Sequence, residues 1–220
     1  MLSHLDCIIF PDRCEVIEVI PSQRYVYPIF KNGNTSLYNY GKKNKCKVLI
    51  NEQIQHLNNI DVILRDPQQR LKSGISTFIQ TTLRDHPTLD IVTVTWFAQN
   101  YLFLNRHYAP QFSWLLNLAR YLNPDATINF LSMDQLDGIT ANIHKKPPGV
   151  NSISDELLRQ LENISNIEMY NRIDQLLITC IGQRLRFDQL IKQIAQQDPT
   201  AYDWVIGRSQ RILKPTHVLS

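Results

Sequence analysis

Two segments of this sequence have residue types suited to capturing an anion: Lys31-Asn32-Gly33-Asn34-Thr35-Ser36-Leu37 and Arg65-Asp66-Pro67-Gln68-Gln69-Arg70-Leu71-Lys72-Ser73-Gly74. In the first, Gly33 lets the backbone approach a ligand closely, and the N–H groups opening a following helix would point at it. Thr35 and Ser36 add hydroxyls, and Lys31 adds a mobile cation with three donors. The segment is not the ATP-binding loop GxxxxGK[ST], because its lysine comes first and it holds a single glycine. In the second, a guanidinium at a strand end and a serine hydroxyl eight residues on could grip one phosphate from two directions. The competing readings are an ordinary polar turn for the first segment, and a surface ion pair with a solvated serine for the second.

The elements that must position these loops alternate strand and helix. Glu15–Ile20 and Arg24–Phe30 read as strands, the second rich in aromatic and β-branched residues. The helix after the first loop is expected to end at Gly41, followed by a solvated basic cluster of Lys42, Lys43, Lys45 and Lys47. Lys47–Ile50 is a short strand, and Ile60–Leu64, apolar on both faces, is a central one. Asp66 can cap the next helix, with Pro67 at its first position and Gln69 completing a capping-box pattern. Leu71, Ile75, Phe78, Ile79 and Thr82 share a stripe of that helix.

Ile91–Phe97 reads as a strand or an aromatic segment, Pro110–Leu122 as a helix apolar on one side, and Ala126–Met133 as the last strand. From Ser154, an N-cap, the chain turns helical, with a further amphipathic stretch at Phe187–Ala195. The expected fold is α/β: a central, mainly parallel sheet flanked by helices, with a helical C-terminal third, in a single domain over residues 1–220. Both loops then lie at the carboxyl ends of strands, where an open α/β sheet binds its ligand.

In this order the two loops resemble those of the sulfotransferases that use 3′-phosphoadenosine 5′-phosphosulfate (PAPS). That family's 5′-phosphosulfate loop runs lysine, small residues, then Thr-Ser. Its 3′-phosphate motif places arginine and serine eight residues apart in an RDPxxRxxSG frame, as Arg65 and Ser73 stand here. Asn105-Arg106-His107-Tyr108-Ala109-Pro110-Gln111 is similar to the His-aromatic-x-Pro-Gln segment of the carbohydrate (Golgi-type) branch. Ala126–Leu136 and Ser154–Asp174 resemble that branch's next strand and closing helix, so the likeness covers roughly residues 25–180. The chain departs from the pattern in lacking a type II anchor and in the two asparagines of its first loop.

The resemblance implies a P-loop-like sulfotransferase fold and transfer of a sulfuryl group from PAPS to an acceptor hydroxyl, on a carbohydrate by the branch likeness. It puts Lys31 on the leaving phosphosulfate, within a cradle of Asn32, Gly33, Asn34, Thr35, Ser36 and Leu37. It puts Arg65 and Ser73 on the 3′-phosphate. The scheme needs no metal. His107 is the first candidate for the general base, followed by Glu52, with His56 and His86 as the others. Residues 144–149 (HKKPPG) are a candidate basic lid, and Trp96, Tyr101 and Tyr108 are either stacking platforms or core. The alternatives are a non-catalytic nucleotide (PAPS)-binding protein and a P-loop small-molecule kinase. The absent GxxxxGK[ST] and the lack of an acidic strand end to hold Mg²⁺ weigh against the kinase.

Composition sets the outer limits. Of 220 residues, 43% are apolar and 20% charged, which suits a folded domain with a real core. Twenty-three basic against 20 acidic residues leave a net +3, enough for a small anionic ligand and too little to suggest nucleic acid. Cys7, Cys14, Cys46 and Cys180 form no CxxC pair and read as reduced thiols, with no metal site. No run approaches the roughly 18–20 apolar residues that span a bilayer, and the first residues lack a basic leader, so the chain is expected to be cytoplasmic.

Overall fold

The computed structural model describes residues 13–20, 22–85, 87–88, 90, 92–93, 96, 107–136 and 165–209. In chain order the elements are β1 (Glu15–Val19), β2 (Arg24–Tyr27), α1 (Asn34–Lys43), β3 (Val48–Ile50), β4 (Asn59–Leu64) and α2 (Pro67–Asp85). Then follow α3 (Gln111–Ala119), β5 (Thr127–Ser132), α4 (Ser165–Ile178), β6 (Arg184–Arg186), α5 (Phe187–Gln197) and α6 (Pro199–Ser209). Short 3₁₀ segments at Asn51–His56 and Met133–Gln135 precede β4 and follow β5.

The fold is α/β, built on one open sheet in the order β3-β1-β2-β4-β5-β6. The sheet is mixed rather than mainly parallel. The β2–β4 and β4–β5 ladders are parallel, whereas β1–β2, β1–β3 and β5–β6 are antiparallel. The physical reason is connection length. Only a few residues join β1 to β2, too few for the crossover that a parallel pair needs. β6 likewise returns against β5 after α4, which makes the C-terminal part helical with one edge strand of its own.

Period-two alternation divides the core. Ile60, Val62 and Leu64 of β4, with Val16, Tyr27, Ile128 and Phe130, face α3, α4, α5 and α6. Ile63, with Ile17, Val19 and Val26, faces the other way, onto Leu37 of α1.

Several local expectations change. The second strand stops at Tyr27, because Pro28 cannot donate to a ladder. α1 runs through Gly41 to Lys43. Gly41 is buried there, within 3.6 Å of Ile17 and Cys46 measured from where its Cβ would be, so it serves packing and not termination. Residues 111–118 of α3 are buried all round, since α3 lies between the sheet and the α4 and α6 helices. Val92, Thr93 and Trp96 are helical, not extended. The start of α2 is as expected: Gln69 N donates to Asp66 Oδ1 at 2.9 Å, and Leu71, Ile75, Phe78 and Thr82 are buried. The four lysines at 42, 43, 45 and 47 are exposed, as expected of a solvated cluster.

Cys14, Cys46 and Cys180 are free thiols. Cys7, His86, Tyr101, the lid at 144–149 and the Ser154 cap lie outside the described residues. Among the described residues, no helix is long and apolar enough to cross a membrane.

Candidate functional site

β2 and β4 are neighbouring parallel strands whose continuations part company. From β2 the chain leaves through α1 toward β3 on one side, and from β4 it leaves through α2 toward β5 on the other. That is a topological switch point, the place where an open α/β sheet leaves a crevice outside its strand ends. The loops at 28–33 and 65–66 form its two lips.

The first lip is left-handed at two residues, and only the one that is not glycine is strained there. Gly33 sits at φ 78° and Lys31 at φ 68°. A left-handed backbone costs a non-glycine residue about 1–2 kcal/mol. Lys31 N donates to Asn34 Oδ1 at 3.2 Å, which holds the turn. A Cβ on Gly33 would lie 2.3 Å from Leu136 Cδ2, so the residues after β5 press on this turn from outside. α1 then begins with no side-chain cap and no acidic residue in its first turn. The first four N–H groups of a helix have no partner within it, and their partial positive charge attracts anions.

Not every residue of the loop shares in this. Asn32 N donates to Ile29 O and Leu37 N to Gly33 O, so neither N–H remains for a ligand. The Asn32 side chain is buried, and Leu37 is packed into the core beneath α1. Of the residues expected to form a cradle, Gly33, Asn34, Thr35 and Ser36 are left with backbone N–H groups not engaged in this way.

The Lys31 ammonium donates to the Thr77 hydroxyl, and Thr77 Oγ1 donates to Ser73 O at 3.0 Å. Lys31 thus lies across α2 beside the turn that carries Ser73. Arg65 is half-buried, and its Nη1 donates to Lys31 O at 3.0 Å, joining the two lips directly. Burial lowers the Arg65 pKa, the nearby Arg70 guanidinium lowers it further, and Asp66 opposes both. A guanidinium whose charge is disfavoured by burial and by a like neighbour favours an anion beside it.

Arg70 itself is fully buried. Its Nε donates to Phe30 O at 3.1 Å, and its Nη1 to Ala109 O at 2.5 Å and to the Tyr170 hydroxyl at 3.0 Å. Its Nη2 has no hydrogen-bond partner among the described residues.

The third segment closes on the same place. A Cβ on Gly74 would stand 2.3 Å from His107 O and 2.8 Å from Tyr108 Cβ, so this helical glycine lets the 107–108 backbone lie directly on α2. His107 meets Phe30, the residue before Lys31, edge-on with ring centroids 5.5 Å apart. Tyr108 is core, packed edge-on against Phe78. Trp96 is half exposed.

Glu52 and His56 are brought elsewhere. They sit on the 3₁₀ turn leading into β4, roughly 16 Å from its carboxyl end at 3.3 Å per residue. A cleft of ≈ 350 Å³ opens at that far edge, with Arg24, His56, Asn59, Asp61 and Asn129 in its lining. Asp61 there already accepts from Arg24 Nε at 2.6 Å and Asn129 Nδ2 at 2.9 Å.

Sequence reasoning gave no role to Gln111, the last residue of the His107 segment. Its Oε1 accepts from Arg65 N at 3.0 Å and from Asn32 Nδ2 at 2.5 Å. Its Nε2 donates to Arg65 O at 2.9 Å and to Asp174 Oδ2 at 3.3 Å. Asp174, fully buried on α4, also accepts from Gln111 N at 2.9 Å and Phe112 N at 3.2 Å, capping α3 from outside. Burial pushes the Asp174 carboxyl up, while Arg70 and these donors pull it back. The Pro-Gln pair opening a buried helix was the available signal.

Among the described residues no group of three or more His, Cys, Asp or Glu is placed to hold a metal ion. Comparison with protein-family models, curated proteins and solved structures finds no match. The reading of the site therefore rests on the chemistry of these side chains.

Proposed function

We propose that this chain is a PAPS-dependent sulfotransferase with a sulfotransferase-type fold, acting on an acceptor hydroxyl, with a carbohydrate as the favoured acceptor. The observation that carries the reading is the bond from Arg65 Nη1 to Lys31 O at the β2/β4 switch point. It makes one basic crevice of the two segments that separately suited a 5′-phosphosulfate and a 3′-phosphate. An uncapped α1 free of acidic residues in its first turn, a left-handed Gly33, and an Arg65 guanidinium whose charge burial and the nearby Arg70 disfavour all fit an anionic occupant.

The nucleotide supplies the sulfuryl group on a bridging phosphate oxygen. The N–H groups of Gly33 to Ser36 face its 5′ end, and Arg65 with the Ser73 hydroxyl holds the 3′-phosphate, the feature that separates this nucleotide from AMP and ATP. As the bond from sulfur to the bridging oxygen breaks, the electron pair stays on the phosphate, and Lys31 offsets that charge. The acceptor oxygen forms the new bond to sulfur and gives its proton to His107, whose backbone packs on Gly74 and whose ring meets Phe30.

A turnover screen with PAPS against saccharide, phenol and lipid acceptors tests this. Sulfation of a saccharide is expected. Tight binding of adenosine 3′,5′-bisphosphate with no transfer to any class would identify a binding protein instead.

A further inference from the structure

The geometry points to Gln111 as a positioning residue that sets the gap between the two lips of the crevice, and so determines whether both ends of a bisphosphorylated nucleotide can be held at once. This rests on the function proposed above.

The Gln111 carboxamide pairs with both the N–H and the C=O of Arg65, as a neighbouring strand would, at the point where β4 ends. The same oxygen accepts from Asn32 Nδ2, and Asn32 Nδ2 also donates to Ile63 O at 2.7 Å, one residue inside the end of β4. Asn32 is 1% exposed and Gln111 0%, so solvent does not compete for these bonds. The first lip is thereby fixed to the second through one side-chain amide whose four bonds are all made within the protein. Asp174 completes the set, fixing Gln111 from α4 through its side-chain and backbone N–H groups. None of these groups needs to touch the nucleotide. Their effect passes through the Arg65 backbone and the Lys31–Gly33 turn.

A residue that only stabilised the fold would weaken all ligands together, or none. A residue that sets spacing matters only to a ligand gripped at both ends. Gln111→Met keeps length without polar atoms, and Gln111→Glu keeps shape while turning the Nε2 donor into an acceptor facing Asp174 and Arg65 O.

The experiment is calorimetric titration of each variant with adenosine 3′,5′-bisphosphate and with AMP, beside circular dichroism. Expected is AMP affinity within about threefold of the unsubstituted protein, with the preference for the bisphosphate, about tenfold or more at the start, reduced to about threefold or less. Folded variants that keep the full preference overturn this inference alone. Equal binding of both nucleotides by the unsubstituted protein overturns it together with the functional reading.

Should both variants fail to fold, the side-chain amide resonances of Gln111 in the unsubstituted protein decide. They are expected to shift with the bisphosphate and not with AMP. Resonances that neither nucleotide moves, or that both move alike, overturn the inference.

Discussion

The guanidinium of Arg65 donates to the carbonyl of Lys31 at 3.0 Å, across 34 residues of chain, and Lys31 holds a φ of 68° at that point. A lysine kept in a left-handed turn by a neighbouring guanidinium is strain retained at a crevice. Both cations then stand where two parallel strands end.

On the proposed function, Lys31 should act on the charge of the transition state more than on the bound ground state, because the α1 N–H groups and the 3′ grip would already hold the nucleotide. Lys31→Ala is expected to bind adenosine 3′,5′-bisphosphate within about tenfold of the unsubstituted protein and to lower kcat on the order of a hundredfold. Lys31→Arg should rescue incompletely, because a planar fork does not replace a compact point charge. Steady-state kinetics with an established acceptor measures both.

Two glycines should differ in kind. Gly33→Ala forces a Cβ onto a φ of 78° and toward the mobile end of Leu136, and should cost about 1–3 kcal/mol in urea unfolding while weakening nucleotide binding. Gly74→Ala meets the His107 backbone carbonyl at 2.3 Å, which no side-chain rotation relieves. It should displace His107 from α2 and depress kcat more than nucleotide affinity.

Asp174 offsets the buried Arg70 charge and accepts the first N–H groups of α3. Asp174→Ala leaves the Gln111 and Phe112 N–H groups without this acceptor and removes the charge that offsets Arg70, and should lower unfolding free energy by about 3–5 kcal/mol. Asp174→Asn, which keeps one oxygen, should lose clearly less. Chemical denaturation of the two variants in parallel checks the order.

The legible parts of the sequence were those with local causes. The Asp66 cap, the stripe of α2, the β4 run and the basic loops all follow from neighbours within about two helical turns. What depended on distant partners was hidden. The direction of β1 follows from the short turn before β2 and not from its own pattern. Gly41 reads as a stop until Ile17 and Cys46 are seen against it. β6 is three residues, defined by its pairing with β5, and α6, which follows α5 closely, was not anticipated. Glu52 and His56 fall between the two motifs in sequence but at the wrong end of β4 in space. Gln111 and Asp174, 63 residues apart, carry no local sign of their contact. Asn32 and Leu37 sit in the right loop with their groups already engaged in the fold.

The most direct measurement compares the affinities of adenosine 3′,5′-bisphosphate and AMP by calorimetry, in the unsubstituted protein and in Arg65→Ala. If Arg65 and Ser73 hold a 3′-phosphate, the bisphosphate binds roughly ten- to a hundredfold more tightly than AMP, the size of one lost charge-assisted pair. Arg65→Ala should remain folded and lose most of that difference. Equal affinity for the two nucleotides in the unsubstituted protein would contradict the assignment of this crevice to PAPS.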